Sequence, residues 1–167
     1  NLITPILSII TNIGLEHTNF LGDTLAKIAF EKAGIIKNNI PVIIGETLPE
    51  TIPVFEKTAK EKQAPLYFAE NLNTSSPVNF PLLGSYQEKN FKIIQTVIPI
   101  LNELTFSITE EHITKGLKHL SQNTGFRGRM QVISASPLTI MDVSHNYDGI
   151  KATLESITQL VKGKLHI

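Results

Sequence analysis

Three features of the sequence predict an α/β fold in which a parallel sheet is covered by helices. Residues 6–13 are a nearly continuous run of Ile and Leu with Ser and Thr interspersed, the pattern of a strand buried on both faces. β-Branched runs then alternate with segments of helical period. Glycines punctuate the junctions, at Gly14, Gly34, Gly45 and Gly163.

Taken in order, Gly14 ends the first strand. A helix follows Asp23, with Leu25, Ile28, Ala29 and Lys32 at i, i+3, i+4 and i+7 and Gly34 as its stop. Lys32 therefore falls on the apolar stripe. Residues 41–45 read as a second strand, 50–63 as a helix, 65–69 as a third strand and 71–81 as a loop. Ser85 with Glu88 three residues on is a capping-box pattern, ahead of Phe91, Ile94, Val97, Ile98, Leu101 and Leu104 at helical spacing. Pro99 is a possible kink in that helix. Thr109 is the next expected N-cap, with Glu110 and Glu111 suited to the positive helix end and Ile108 placed to staple against Ile113. That helix should reach about residue 120. The polar, glycine-bearing stretch 121–129 reads as a domain linker. Residues 130–135 and 138–143 are expected strands around a Ser-Pro turn. Asp148 opens a last helix with Ile150, Leu154, Ile157 and Val161 inward and Gly163 at its close.

Composition narrows the partners. A chain of 167 residues with 41% hydrophobic content has room for one domain or parts of two. Fifteen Lys+Arg balance fifteen Asp+Glu, so no broad positive field is available for nucleic acid or an anionic membrane, and any anion must be held locally. The absence of cysteine excludes a disulfide framework and a thiolate metal site. Residues 2–13 are too short and too polar to span a bilayer, which takes ~20 apolar residues, and they lack the basic leader of a signal peptide. The expected location is cytoplasmic. Opening on Asn1 and closing on Leu165-His166-Ile167, which reads like the start of a strand, the chain is expected to be a piece cut at both ends.

Two loops carry the residues with chemistry. His17 directly follows the first strand, at the carboxyl edge of a parallel sheet where α/β proteins place ligands; a neutral imidazole there suits a metal, or is a loop histidine bonded to backbone. Lys32 either snorkels from its stripe or supplies a reactive neutral amine. Asp142 and His145 lie between a strand and a helix, where an acid can accept hydrogen bonds from ribose hydroxyls; the plainer roles for Asp142 and Asn146 are turn and cap. Arg127 and Arg129 flank Gly128 and either clamp phosphate or are solvated linker charge. No G-x-x-x-x-G-K-[ST] loop occurs in the sequence.

Taken together, Thr11-Asn12-Ile13-Gly14-Leu15-Glu16-His17-Thr18, Leu21-Gly22-Asp23-Thr24 and Glu31-Lys32-Ala33-Gly34-Ile35 resemble the folylpolyglutamate synthase/dihydrofolate synthase family of the muramyl-ligase superfamily. Gly84-Ser85-Tyr86-Gln87-Glu88-Lys89-Asn90, Gly128-Arg129-Met130-Gln131 and Asp142-Val143-Ser144-His145-Asn146 follow in the family's order. The resemblance implies residues 1–125 as the second half of a P-loop-type ATPase domain and 126–167 as the start of a smaller Rossmann-like α/β domain. It also implies a monomeric ligase that uses ATP and Mg2+ to phosphorylate a folate or dihydropteroate carboxylate, which the amine of L-glutamate then attacks. By that resemblance His17 binds magnesium, Lys32 is carbamylated, Asn90 and Arg129 contact ATP, Asp142 reaches the ribose and His145 lies near the nucleotide. Glu16 stands where aspartate is usual, and Tyr86 where histidine is common. The alternatives are a muramyl-type amino-acid ligase and a non-catalytic nucleotide-binding module.

Overall fold

The computed structural model describes residues 2–15, 22–71, 83–161 and 163–167, the side chain of Ser85 apart. It divides into two compact units, one of residues 1–74 with 89–107 and the other of residues 75–88 with 108–167.

In the first unit β1 (Ser8–Ile10), β2 (Val42–Ile44) and β3 (Leu66–Phe68) form a parallel sheet in that order, with Ser8, Ile9 and Ile10 opposite Val42, Ile43 and Ile44. Helices α1 (Leu25–Ala33) and α2 (Ile52–Glu61) connect the strands. The alternation of a strand explains the layering. Val42 and Ile44 face a core of Ile10, Ile28, Ala29, Ala33, Phe55 and Ala59, whereas Ile43 faces Ala69, Ile93 and Ile100. The last two lie on α3 (Ser85–Leu104), so this sheet is covered by helices on both faces. Burial on both faces holds for β2, but Ile9 of β1 is 39% exposed.

Several expectations shift in detail. The helix expected after Asp23 begins at Leu25, and Thr24 caps it by accepting from the Lys27 amide. Gly34 ends α1 with φ −57°, so its freedom to adopt positive φ is not used; the chain tightens through Ile36 N–H to Ala33 O at 2.9 Å. On α3 the buried frame is Phe91, Ile93, Thr96 and Ile100, while Ile94 and Leu104 are exposed. An isoleucine-rich helix offers two apolar frames, and the one that packs Ile93 and Ile100 on Ile43 prevails. The helix runs through Pro99, which omits one i→i−4 bond. The Ser85 half of the proposed capping box falls outside the described side chains.

Gly45 closes β2 where two backbones meet. A Cβ there would collide with Ile93 Cδ1 and stand 2.5 Å from the Thr11 carbonyl oxygen, which is backbone and has little room to move. Gly45→Ala is expected to cost about 1–3 kcal/mol by overpacking, measured as a lowered urea midpoint of the full-length protein.

In the second unit α4 (Glu110–Lys118) has the N-cap expected at Thr109, and His112 completes a capping box that was not expected: its amide donates to Thr109 Oγ1, and its Nδ1 accepts from the Thr109 amide. Part of the expected linker is α5 (Leu120–Thr124), closed by Gly125. Then β4 (Gln131–Ala135) and β5 (Leu138–Met141) form an antiparallel hairpin, followed by α6 (Tyr147–Thr158). The Asp142 loop therefore leaves a hairpin strand, rather than the carboxyl edge of a parallel sheet. Asn146, with Gly149 N–H donating to its Oδ1 at 2.8 Å, caps α6. Thr153 and Ser156 are the buried residues of α6, and Ile150, expected inward, is exposed. Thr153 turns toward the Asp142 loop, and Ser156 Oγ donates to the Ala152 carbonyl of its own helix at 2.7 Å.

Candidate functional site

Asp142 is held by three donors. Its Oδ2 accepts from the Met130 amide at 2.8 Å; its Oδ1 accepts from the Ser144 amide at 2.8 Å and from Thr153 Oγ1 at 3.3 Å. Ser144 Oγ and Thr153 Oγ1 are themselves 3.1 Å apart. The start of β4, the end of β5 and α6 are thus tied through one carboxylate. Burial alone would raise its pKa, but hydrogen bonds from Ser144, Met130 and Thr153 outweigh that and hold it below the usual aspartate value.

The segment before β4 is shaped to reach Asp142. Gly128 has φ +68°, and a Cβ there would lie 2.8 Å from Val143 Cγ1. Both conformation and space therefore require glycine. Its carbonyl accepts from the Val143 amide at 2.9 Å, and its N–H donates to Gln131 Oε1 at 2.9 Å. Arg127 and Arg129, on either side, are exposed. His145 is exposed with Nδ1 3.2 Å from the Val143 carbonyl; a neutral ring donating there keeps Nε2 as an acceptor. Tyr86 belongs to the same unit, and its hydroxyl is buried. Burial raises the phenol pKa first, the Asp142 charge adds to the rise, and Arg129 opposes it.

In the first unit the half-buried Lys32 sends Nζ to the Asn12 carbonyl at 3.0 Å, just beyond β1. That is the snorkelling geometry. Asn90 lies on α3, next to Lys89. His17 falls outside the described residues. Among the described residues no group of three or more His, Asp or Glu is placed to hold a metal ion. A cleft of ≈ 630 Å³ lined by Phe30, Glu31, Lys37, Glu61 and others contains none of the predicted site residues. No described helix is long and apolar enough to cross a membrane.

No family model matches the sequence. Individual proteins do: the folylpolyglutamate synthase of Lacticaseibacillus casei is 31% identical over 182 residues, spanning 96% of this chain and 42% of its own length. The dihydrofolate synthase/folylpolyglutamate synthase of Haemophilus influenzae is 31% identical over 196 residues, spanning 99% of this chain and 43% of its own length. A solved FPGS–AMPPCP–folate complex superimposes with a TM-score of 0.83 at 29% identity, over 98% of this chain and 44% of that one. Over nearly its whole length the chain is similar to folylpolyglutamate synthases and dihydrofolate synthases. It spans somewhat over two-fifths of the length of these relatives.

Within this synthase-like segment, Arg129, Asp142 and His145 fall in one unit, while Lys32 and Asn90 fall in the other. Sequence reasoning missed the donors that fix Asp142. Thr153, eleven residues on, is an ordinary helix threonine in sequence, and Met130 contributes only its amide. Because the Asp142 pKa is lowered on folding, its contribution to stability is complete above the unfolded aspartate value, about 4, and is lost as pH falls through the folded one. Asp142→Asn is expected to remove this part of the acid limb in pH-dependent thermal melts. At neutral pH, weakening charge-assisted bonds at a partly exposed site should cost about 1 kcal/mol.

Proposed function

We propose that this chain forms part of a cytoplasmic, monomeric, ATP-dependent ligase that adds L-glutamate to folate or dihydropteroate. The observation that carries this reading is the match over nearly the whole chain to synthases of that name, including a solved complex with AMPPCP and folate. Residues 1–125 would belong to the ATPase domain and 126–167 would open the carboxy-terminal one. The place of Asp142 at the head of the Asp142-Val143-Ser144-His145-Asn146 motif supports its reading as the ribose contact, beyond its work as a turn residue. Asn90, Arg129 and His145 would complete the nucleotide contacts from this chain. His17 would be the magnesium ligand, the ion neutralising phosphate charge.

In the proposed reaction a carboxylate oxygen of the folate attacks the γ-phosphorus of ATP, and ADP leaves. The glutamate amine then attacks the acyl carbon of the resulting acyl phosphate. An amide forms, phosphate departs with the former carboxylate oxygen, and the amine loses a proton. Folate labelled with oxygen-18 in its γ-carboxylate tests this in the full-length protein. Label in inorganic phosphate, with ADP formed, is the expected result; label in AMP would replace the acyl phosphate with an adenylate.

A further inference from the structure

The end of β2 grips the start of α3 at two successive points. Gly45 gives Ile93 its packing space, and the next residue, Glu46, accepts from Lys89 Nζ at 2.6 Å. Lys89 and Ile93 are four residues apart, hence one turn apart on one helix face. Two neighbouring residues of the strand end therefore fix both the height and the rotation of this part of α3. The nearby Glu70 does not occupy Glu46's place: its Oε2 accepts from the Thr47 amide at 3.0 Å. Glu46 is the more shielded partner, with its side chain 24% exposed against 56% for Lys89. An ion pair this open contributes little to stability. What it does supply is a direction, because a long lysine side chain is drawn to one point on the sheet.

We infer that the Glu46–Lys89 pair is a positioning device for Asn90, the residue that follows Lys89, orienting this turn of α3 so that Asn90 meets the adenine nucleotide. The inference rests on reading Asn90 as a nucleotide contact. Neither Glu46 nor Lys89 need touch the ligand.

Steady-state kinetics of the full-length protein test it, with ATP and folate varied separately. Glu46→Gln and Lys89→Met should each raise the KM for ATP about threefold to fivefold, the scale of a single open ion pair, with kcat and the KM for folate unchanged. The double variant should be no worse than either single one, and the reversed pair, Glu46→Lys with Lys89→Glu, should recover most of the loss. Thermal melts without nucleotide should be the same for all, which separates positioning from folding. An unchanged ATP KM in both single variants, or fully additive losses, overturns the inference. Asn90→Ala distinguishes the two levels: if it leaves ATP binding intact, the reading of Asn90 falls and takes the inference with it. If it weakens ATP binding while the pair variants do not, only the inference falls.

Discussion

Lys32→Ala is expected to reduce turnover of the full-length enzyme by about 10²–10³-fold, the scale of losing one preorganised electrostatic group, with little effect on stability. Lys32 leaves the packed face of α1, where Ile28, Ala29 and Ala33 are buried, and directs Nζ to the carbonyl of Asn12 beyond the end of β1. One hydrogen bond from a half-exposed amine is a small structural contribution. In the proposed enzyme the neutral amine adds carbon dioxide and releases a proton, giving a carbamate whose carboxylate carries the negative charge. Lys32→Arg should fail equally, because a guanidinium stays protonated and forms no carbamate. Carbon-13 NMR in labelled bicarbonate should give a carbamate signal that vanishes in both variants. A fully active Lys32→Arg enzyme would remove the modification from the account.

The largest expected effect on stability is at Phe55. It is fully buried on α2 among Ile28, Ile44 and Ala59, in the core between the two helices and the sheet. Truncation to alanine removes the ring's transfer energy and leaves a cavity that three short strands and two helices only partly collapse, at a cost of about 3–5 kcal/mol. Urea unfolding of the full-length protein, followed by circular dichroism, should show a clearly lowered first midpoint. A shift below that of Gly45→Ala would mean that the core repacks around the gap.

Much of this architecture was legible from period and punctuation. The three parallel strands fall inside their predicted segments because β2 is an uninterrupted Val-Ile-Ile run and Gly45 and Pro41 bracket it. The rotation of α3 was not legible, since Ile93 and Ile94 are equivalent as a pattern and only Ile43 on the sheet distinguishes them. The same limit applies to α6, where a hydroxyl network with Asp142 outweighs burial of Ile150. Hydrogen bonds between residues 11 or 12 positions apart leave no periodic trace in a sequence. The motif order nevertheless carried the family, and it singled out Asp142, whose carboxylate does anchor its loop. Lys89 and Glu46, 43 residues apart, carried no such signal.

The most direct measurement incubates the full-length protein with ATP, magnesium, labelled L-glutamate and either dihydropteroate or a reduced folate, and follows the pterin product by mass spectrometry. The expected product is heavier by one glutamyl residue, formed together with ADP and phosphate and dependent on ATP. Glutamate transfer to neither acceptor, with ATP-dependent ligation to a cell-wall precursor instead, would contradict the proposed function.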